Sequence, residues 1–350
     1  MVRPAQTVIT GMGYAHPPPQ RQDDLWRDYF ARHYAGPQRA LAQRVFEHSG
    51  VVTRHSVFNP LLEDPSGWST QTRMDRYLTE ALPLGKDAVC AALDSAALSP
   101  ADVGMFVVCS CTGYATPGLD ILLARDLGMA AHTQRLFLGH MGCYAALPGL
   151  ATASDYVARH GRPALLLCLE LTTLHIQPPT RDPQQIVAHA LFSDAAAAVV
   201  LMPAGDGYAV TEVAARTDTT TADYMTWGVT DLGFRMGLSP KVPDVLAVHV
   251  AALVGDLLHK HGLELSDVDG WAVHPGGPKI LDVVQRELGL TPAQLDASRG
   301  VLAAHGNCSS PTVLMIIDAL RRGTPRPETV VALAFGPGLT LYAALLSGAA

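Results

Sequence analysis

The chain has 350 residues, beyond the ~250–300 at which a single hydrophobic core stops growing, so two sub-domains or one duplicated unit are expected. Apolar residues make up 48% and charged residues only 16%, against a usual ~25% charged, which excludes disorder and points to a large globule with extensive internal or subunit contact. A net charge of −7 and a pI near 6.0 argue against a nucleic-acid partner held by counterion release.

In chain order, short apolar runs alternate with helical stretches, the pattern of an α/β protein with buried strands. Strands are expected at residues 7–14, 105–110, 163–171, 195–202, 210–216, 270–274, 329–335 and 340–346. Helices are expected at 25–33, 40–47, 70–97, 119–127, 144–160, 245–261, 280–287 and 311–321. Polar, Pro-rich stretches at 59–69, 177–184 and 217–223 read as surface loops. No apolar run reaches the ~18 residues of a membrane helix. Met1-Val2-Arg3-Pro4 has neither the apolar segment nor the cleavage site of a signal peptide, so no membrane partner is expected. Of the six cysteines, Cys90, Cys109, Cys111, Cys143, Cys168 and Cys308, four lie in or beside strand-like runs, which reads as reduced thiols of a cytoplasmic protein.

An internal repeat organises these elements. The stretch Asp102-Val103-Gly104-Met105-Phe106-Val107-Val108-Cys109 is echoed 165 residues later by Asp267-Val268-Asp269-Gly270-Trp271-Ala272-Val273-His274, and at the same offset Cys143 falls on Cys308. The basic turn Arg159-His160-Gly161 recurs as Arg321-Arg322-Gly323 at an offset of 162, so the second helix is expected to be three residues shorter. Two similar α/β halves related by a pseudo-two-fold axis would bring equivalent loops bearing Cys, His and Asn together.

Three turns carry side chains suited to chemistry. Gly139-His140-Met141-Gly142-Cys143 places Cys143 between an apolar strand and a helix N-terminus, where unpaired N–H groups and the helix dipole favour a thiolate; a buried, inert thiol is the competing reading. His274-Pro275-Gly276-Gly277-Pro278 is a rigid turn that aims an imidazole from a strand end, able to bond a thioester carbonyl, or else an incidental turn histidine. His305-Gly306-Asn307-Cys308-Ser309-Ser310-Pro311 offers Asn307 as an amide donor to an oxyanion, or merely as a helix cap. A fourth stretch, Phe335-Gly336-Pro337-Gly338-Leu339-Thr340, joins two apolar strands. Cys109-x-Cys111 lacks a nearby Cys/His pair at ligand spacing and does not read as a metal site.

The joint order Cys, HPGGP, GNxSS, FGPGLT resembles the chalcone synthase-like type III polyketide synthases over essentially the whole chain, as do Thr112-Gly113 with Pro117-Gly118, Glu170 with Thr172, Leu191-Phe192-Ser193-Asp194, and Phe234 with Lys241-Val242-Pro243. The resemblance implies a thiolase-like fold: two duplicated βαβαβ halves layered α-β-α-β-α, residues 1–205 with the nucleophile Cys143 and residues 206–350 with His274 and Asn307. It implies a homodimer that loads an acyl-CoA starter on Cys143 and extends it with malonyl-CoA by decarboxylative condensation, with His274 and Asn307 as the oxyanion hole and with no metal or redox cofactor. Phe192 and Phe234 would be gatekeeping aromatics, and Arg54 a basic CoA contact. Thr172, Ser309 and Phe335 would be substrate-facing. Cys111 and His175 stand where chalcone-forming members carry Thr, Met225 lies near a plant Gly, and Thr116 replaces a cross-subunit Met. These departures point to a microbial pyrone or resorcinol former rather than chalcone. The readings set against it are a ketoacyl synthase III that uses carrier protein, a non-catalytic condensing-enzyme partner subunit, and a papain-like Cys-His-Asn hydrolase.

Overall fold

The structure, a computed structural model, describes residues 7–34 and 36–349; Met1-Val2-Arg3-Pro4 lie outside it. Its strands are β1 (Val8–Ala15), β2 (Pro19–Arg21), β3 (Thr53–His55), β4 (Met105–Cys109), β5 (Gln134–Leu138), β6 (Ala164–Leu171), β7 (Asp194–Met202), β8 (Gly207–Thr217), β9 (Met225–Thr230), β10 (Gly233–Leu238), β11 (Gly270–Val273), β12 (Thr329–Gly336) and β13 (Thr340–Ala349). Nine of them join in the order β11-β12-β13-β8-β1-β7-β6-β4-β5, while β2–β3 and β9–β10 are separate two-stranded ribbons.

The duplication is plain in the strand order. From β5 inward the first half runs β5-β4-β6-β7-β1, and from the other edge the second runs β11-β12-β13-β8. In both, the first repeat strand pairs in parallel with the next (β4 with β6, β11 with β12) and the following contacts are antiparallel. The halves meet at β1 and β8, which pair at Val8↔Ala209 and Ile9↔Tyr208. Among the described residues no strand matches β5 in the second half; the helix Asp296–His305 stands at that place in the chain, an element absent from the sequence reading.

Side chains alternate across these strands with period two, and this produces five layers. Val107, Cys109, Leu166 and Cys168 from one half, and Ala272, Val330, Ala332 and Ala334 from the other, enclose the central helices Ala146–His160 and Pro311–Arg321. The intervening residues Phe106, Val108, Leu165 and Leu167 face outward onto the helix Thr70–Ser95. Trp271, Val273, Val331 and Leu333 face the helices Val242–Lys260 and Pro278–Glu287. Val242–Lys260 is long and apolar enough by composition to cross a membrane, but Asp244, His249 and Asp256 interrupt its apolar run, and Leu246, Val250, Leu253 and Leu257 bury one face in this second outer core.

The central helices correct the repeat arithmetic. The first has 15 residues and the second 11, a difference of four rather than three. The following turn is longer by the same amount, because β6 starts at Ala164 and β12 at Thr329, again 165 residues apart. Three more expectations changed. The helix read at 25–33 is broken by a wide turn over Trp26–Phe30. The loop read at 177–184 runs into the helix Pro183–Leu191, capped by Asp182, whose carboxylate accepts from the Gln184 N–H. The hairpin β9–β10 occupies a region where no strands were expected.

Candidate active site

Four loops, three at strand ends and one after the helix Asp296–His305, converge between the halves. β5 ends at Leu138, and the chain turns through His140 (φ 62°) and Gly142 (φ 71°), left-handed conformations that glycine adopts without a Cβ penalty, before a single 3₁₀ turn Gly142–Tyr144 and the central helix. A Cβ at Gly142 would stand 3.0 Å from Pro337 Cδ, and one at Gly336 2.7 Å from Tyr144, so the Phe335–Thr340 turn packs on the cysteine loop. Cys143 is 8% exposed and shares the lining of one cleft with Ser309. Asn307 is locked from the other side: its N–H donates to Leu191 O at 2.8 Å and its carbonyl accepts from Ser193 N at 3.0 Å. A Cβ on Gly277, in the His274 turn, would sit 3.3 Å from Leu191 Cδ1, which ties that turn to the same segment.

Electrostatics in this cleft are governed by burial. Cys143 was expected to favour its thiolate. Instead burial pushes its thiol up to about 11, with Glu170 adding in the same direction and the Ser309 side chain opposing. Desolvation thus outweighs the helix terminus in the resting site. His274 is 1% exposed, burial takes it down to about 3, and both of its ring nitrogens lack a hydrogen-bond partner among the described residues. Asn307 Oδ1 accepts from the Ser309 N–H at 2.8 Å, so its Nδ2 is the end left to donate. The Asn307 side chain does not cap the next helix: that helix begins at Pro311 behind Ser310, with no side-chain cap. Glu170 is raised to about 7 by burial, although it accepts from Cys111 N at 3.0 Å, Thr112 Oγ1 at 2.8 Å and Ser310 Oγ at 3.1 Å.

Beside Cys143 lies a cleft lined by Cys111, Thr172, Phe192, Met225, Trp227 and Ser309. A second cavity shares Thr172, Phe192 and Trp227 with it and continues past His175, Phe234 and Arg54. His175 is fixed as one neutral tautomer: Nε2–H donates to Thr112 O at 2.7 Å, Nδ1 accepts from Phe234 N at 3.0 Å, and the two rings stack at 4.5 Å. Thr172 donates from Oγ1 to Ser193 O at 2.8 Å.

Two site expectations are corrected. Arg54 is 5% exposed; its Nη1 donates to the carbonyls of His189 and Phe192, and its guanidinium lies over the Phe30 and Phe46 rings. It braces the Phe192 loop rather than facing a CoA phosphate. Phe335, which opens the turn motif Phe335–Thr340, packs in the outer core with Trp271 and lines neither cavity. Thr116 is exposed, on the loop before Pro117. The sequence reading missed Trp227 and Met236, which line both cavities, and Arg73, fully buried. Arg73 Nη1 bonds the Leu174 and Ile176 carbonyls that flank His175, and Nη2 donates to Pro65 O at 2.7 Å. The only signal for Trp227 was a tryptophan between short alternating residues.

Comparison with known proteins agrees along the full length. Residues 5–205 match the N-terminal domain of chalcone and stilbene synthases, and residues 211–350 match the C-terminal domain. An alpha-pyrone synthesis polyketide synthase-like protein of Mycobacterium tuberculosis is 31% identical, covering 97% of this chain and 91% of its own. A 1,3,6,8-tetrahydroxynaphthalene synthase of Streptomyces peucetius is 37% identical, covering 89% and 84%. Among solved structures, PKS-I of the brown alga Ectocarpus siliculosus superposes with a TM-score of 0.90 at 28% identity, covering 98% of each chain. A fungal type III polyketide synthase superposes at 0.88 and 27% identity, covering 98% and 99%.

Proposed function

Since the chain belongs to the chalcone and stilbene synthase family and is a type III polyketide synthase, we propose that it transfers an acyl group from CoA to Cys143 and extends it with malonyl-CoA by decarboxylative condensation. The observation that carries the assignment of roles is His274. Two buried ring nitrogens without partners cost about 1–3 kcal/mol each, and an incoming thioester or enolate oxygen relieves the penalty at the one that carries the proton.

In loading, the Cys143 thiol gives its proton to His274, and sulfur attacks the starter thioester carbon. The C–S bond to CoA breaks, and CoA thiolate leaves with the proton. In extension, the malonyl C–C bond to carboxylate breaks, CO2 departs, and the electron pair forms a thioester enolate. Asn307 Nδ2 and the N–H of neutral His274 donate to the enolate oxygen; burial suits this, since it keeps the imidazole uncharged. The enolate carbon then attacks acyl-Cys143, expelling Cys143 sulfur and leaving a chain two carbons longer on CoA. All electrons come from the broken C–C bond, so these steps call on no redox cofactor.

Phe192, Phe234, Trp227, His175 and Met236 form an aromatic and apolar wall that supports a pyrone, resorcinol or similar aromatic product. The acting form is a homodimer, with the exposed Thr116 at the subunit boundary. Light scattering at micromolar concentration is expected to give twice the 37.1 kDa chain mass; a monomer overturns the dimer. The activity is tested by incubating the enzyme with acetyl-, hexanoyl-, benzoyl- and lauroyl-CoA plus malonyl-CoA, without carrier protein, and reading product masses and the acylated peptide. Acylation at Cys109, Cys111 or Cys308, or dependence on carrier protein, contradicts the proposal.

A further inference from the structure

Behind the Asn307 turn, three histidines far apart in sequence come together. His16 follows β1, His55 ends β3, and His305 ends the helix Asp296–His305, so the cluster draws on both halves of the duplicated fold. A nitrogen from each ring lies within 4.8 Å of the other two. His55 Nε2 and His305 Nδ1 are 3.0 Å apart, and the His16 ring stacks on both, 4.3 Å from each. His55 Nδ1 bonds the Pro17 carbonyl at 2.9 Å, which places the proton on Nδ1 and leaves the Nε2 lone pair facing the cluster, where it accepts from His305 Nδ1–H; a bound ion would take that lone pair and shift the His305 proton to its Nε2. A backbone carbonyl that fixes the tautomer in this way is the usual support of a metal-ligating histidine. His16 Nε2 is buried without a hydrogen-bond partner among the described residues.

We propose that His16, His55 and His305 form a binding site for a single divalent transition-metal ion of the zinc, cobalt or copper type, distinct from the Cys143 cleft. The donor chemistry selects this class: three neutral imidazoles suit borderline ions, whereas magnesium and calcium demand oxygen ligands. Burial lowers all three rings and favours the uncharged, ligating form, with repulsion between imidazoles adding to it at His16 and His305. Two nitrogens bound ~2.1 Å from one ion are at most ~4.2 Å apart, so a spacing within 4.8 Å needs at most a small contraction. His16 and His305 must also turn from face-to-face packing toward a common point, a rotation about the soft Cβ–Cγ bond of imidazole. The fourth position would be left to water or another small ligand. The site lies two residues before Asn307, on the turn that the proposed enolate contact depends on.

The test uses tag-free, full-length protein titrated with cobalt(II) and followed by visible absorption. One equivalent is expected to bind with d–d bands and no thiolate-to-cobalt charge-transfer band, and zinc(II) should displace it. His16→Phe, which keeps an aromatic ring in the stack, and His16→Ala should each weaken cobalt affinity by at least about 10- to 100-fold at unchanged circular dichroism. On the wild type itself, copper(II) electron spin-echo spectra should show modulation from imidazole nitrogens, a readout independent of how the variants fold. Absence of binding, a thiolate band, or copper spectra without imidazole modulation shows that the three rings are a packing cluster and overturns the site.

Discussion

At Cys143 the start of a helix and the depth of the cleft act in opposite directions, and depth wins: the thiol is held up to about 11. A helix terminus contributes about 0.3–1 kcal/mol at an exposed site, whereas removing a thiolate from water costs more. In the proposed loading step His274 takes the Cys143 proton, uphill against the burial that holds both groups neutral. Asn307 has a different task, because the malonyl thioester it is proposed to polarise is absent from loading. Asn307→Ala should cut malonyl-CoA decarboxylation by about 10²–10³-fold while single-turnover acylation of Cys143 falls much less. Equal losses in both steps would make Asn307 a turn residue only, acting through its Oδ1 bond to Ser309 N. Cys143, His274 and Asn307 were legible in the sequence because each sits in a Gly-rich turn at a strand or helix end. Arg54 was misread for the converse reason: a lone basic residue in sequence does not say whether its guanidinium meets solvent or backbone carbonyls.

The hairpin β9–β10 is the element that shapes the cavity and the one the sequence concealed. Gly228, Gly233 and Gly237 dilute its alternation, and its register, Trp227↔Met236 and Val229↔Phe234, comes from pairing rather than from pattern. It is fastened from outside: Trp227 Nε1 donates to Cys111 O at 2.8 Å, Gly233 N to Thr70 Oγ1 at 2.8 Å, and Gln185 Nε2 to the Met236 carbonyl. Trp227→Ala removes an indole from the wall of both cavities. Lauroyl-CoA should then gain on acetyl-CoA in kcat/KM by about tenfold or more, and longer products should appear; an unchanged ratio would remove Trp227 from specificity. A second element contact is steric. β1 crosses the helix Thr70–Ser95 so closely that a Cβ at Gly13 would lie 2.4 Å from Ala92 N, a backbone atom that cannot swing aside. Gly13→Ala should destabilise by ~1–3 kcal/mol or more through forced separation of helix and strand, read as a lower midpoint in urea. An unaltered midpoint would mean that the two elements slide apart freely.

Over the whole molecule, stability should fall on acidification. His175, His189 and His274 are buried and held down to about 3, and His16 and His305 are also depressed, to about 3 and about 4. Above pH 6.5 these rings are neutral whether folded or not. Below it the unfolded chain takes up protons that the folded chain refuses, at a cost of order 2 kcal/mol for each fully buried ring by pH 5. Glu170, raised to about 7, and Asp194, raised to about 6, act in the opposite sense, since the folded chain holds their protons where the unfolded chain has lost them. Two carboxyls do not offset five imidazoles. The melting temperature should therefore drop between pH 6.5 and 4; a constant value would show that these rings gain water or protons in the native state.

By itself the sequence determined the α/β class, the 165-residue repeat, most of the nine strands of the large sheet, and the three turns with Cys143, His274 and Asn307. Each of those is a local matter of period, glycine and strand-end chemistry, and local patterns survive in one dimension. Only the tertiary structure decided what depends on distant partners. The helix Asp296–His305 occupies the chain position of β5 in the second half and packs on β11 and on the helix Pro311–Arg321. Arg54 faces carbonyls because β3 lies under the Phe192 loop. Cys143 rests as a thiol because the layers around it exclude water. His16, His55 and His305 meet because packing the two halves brings together three element ends that no spacing in the chain announces.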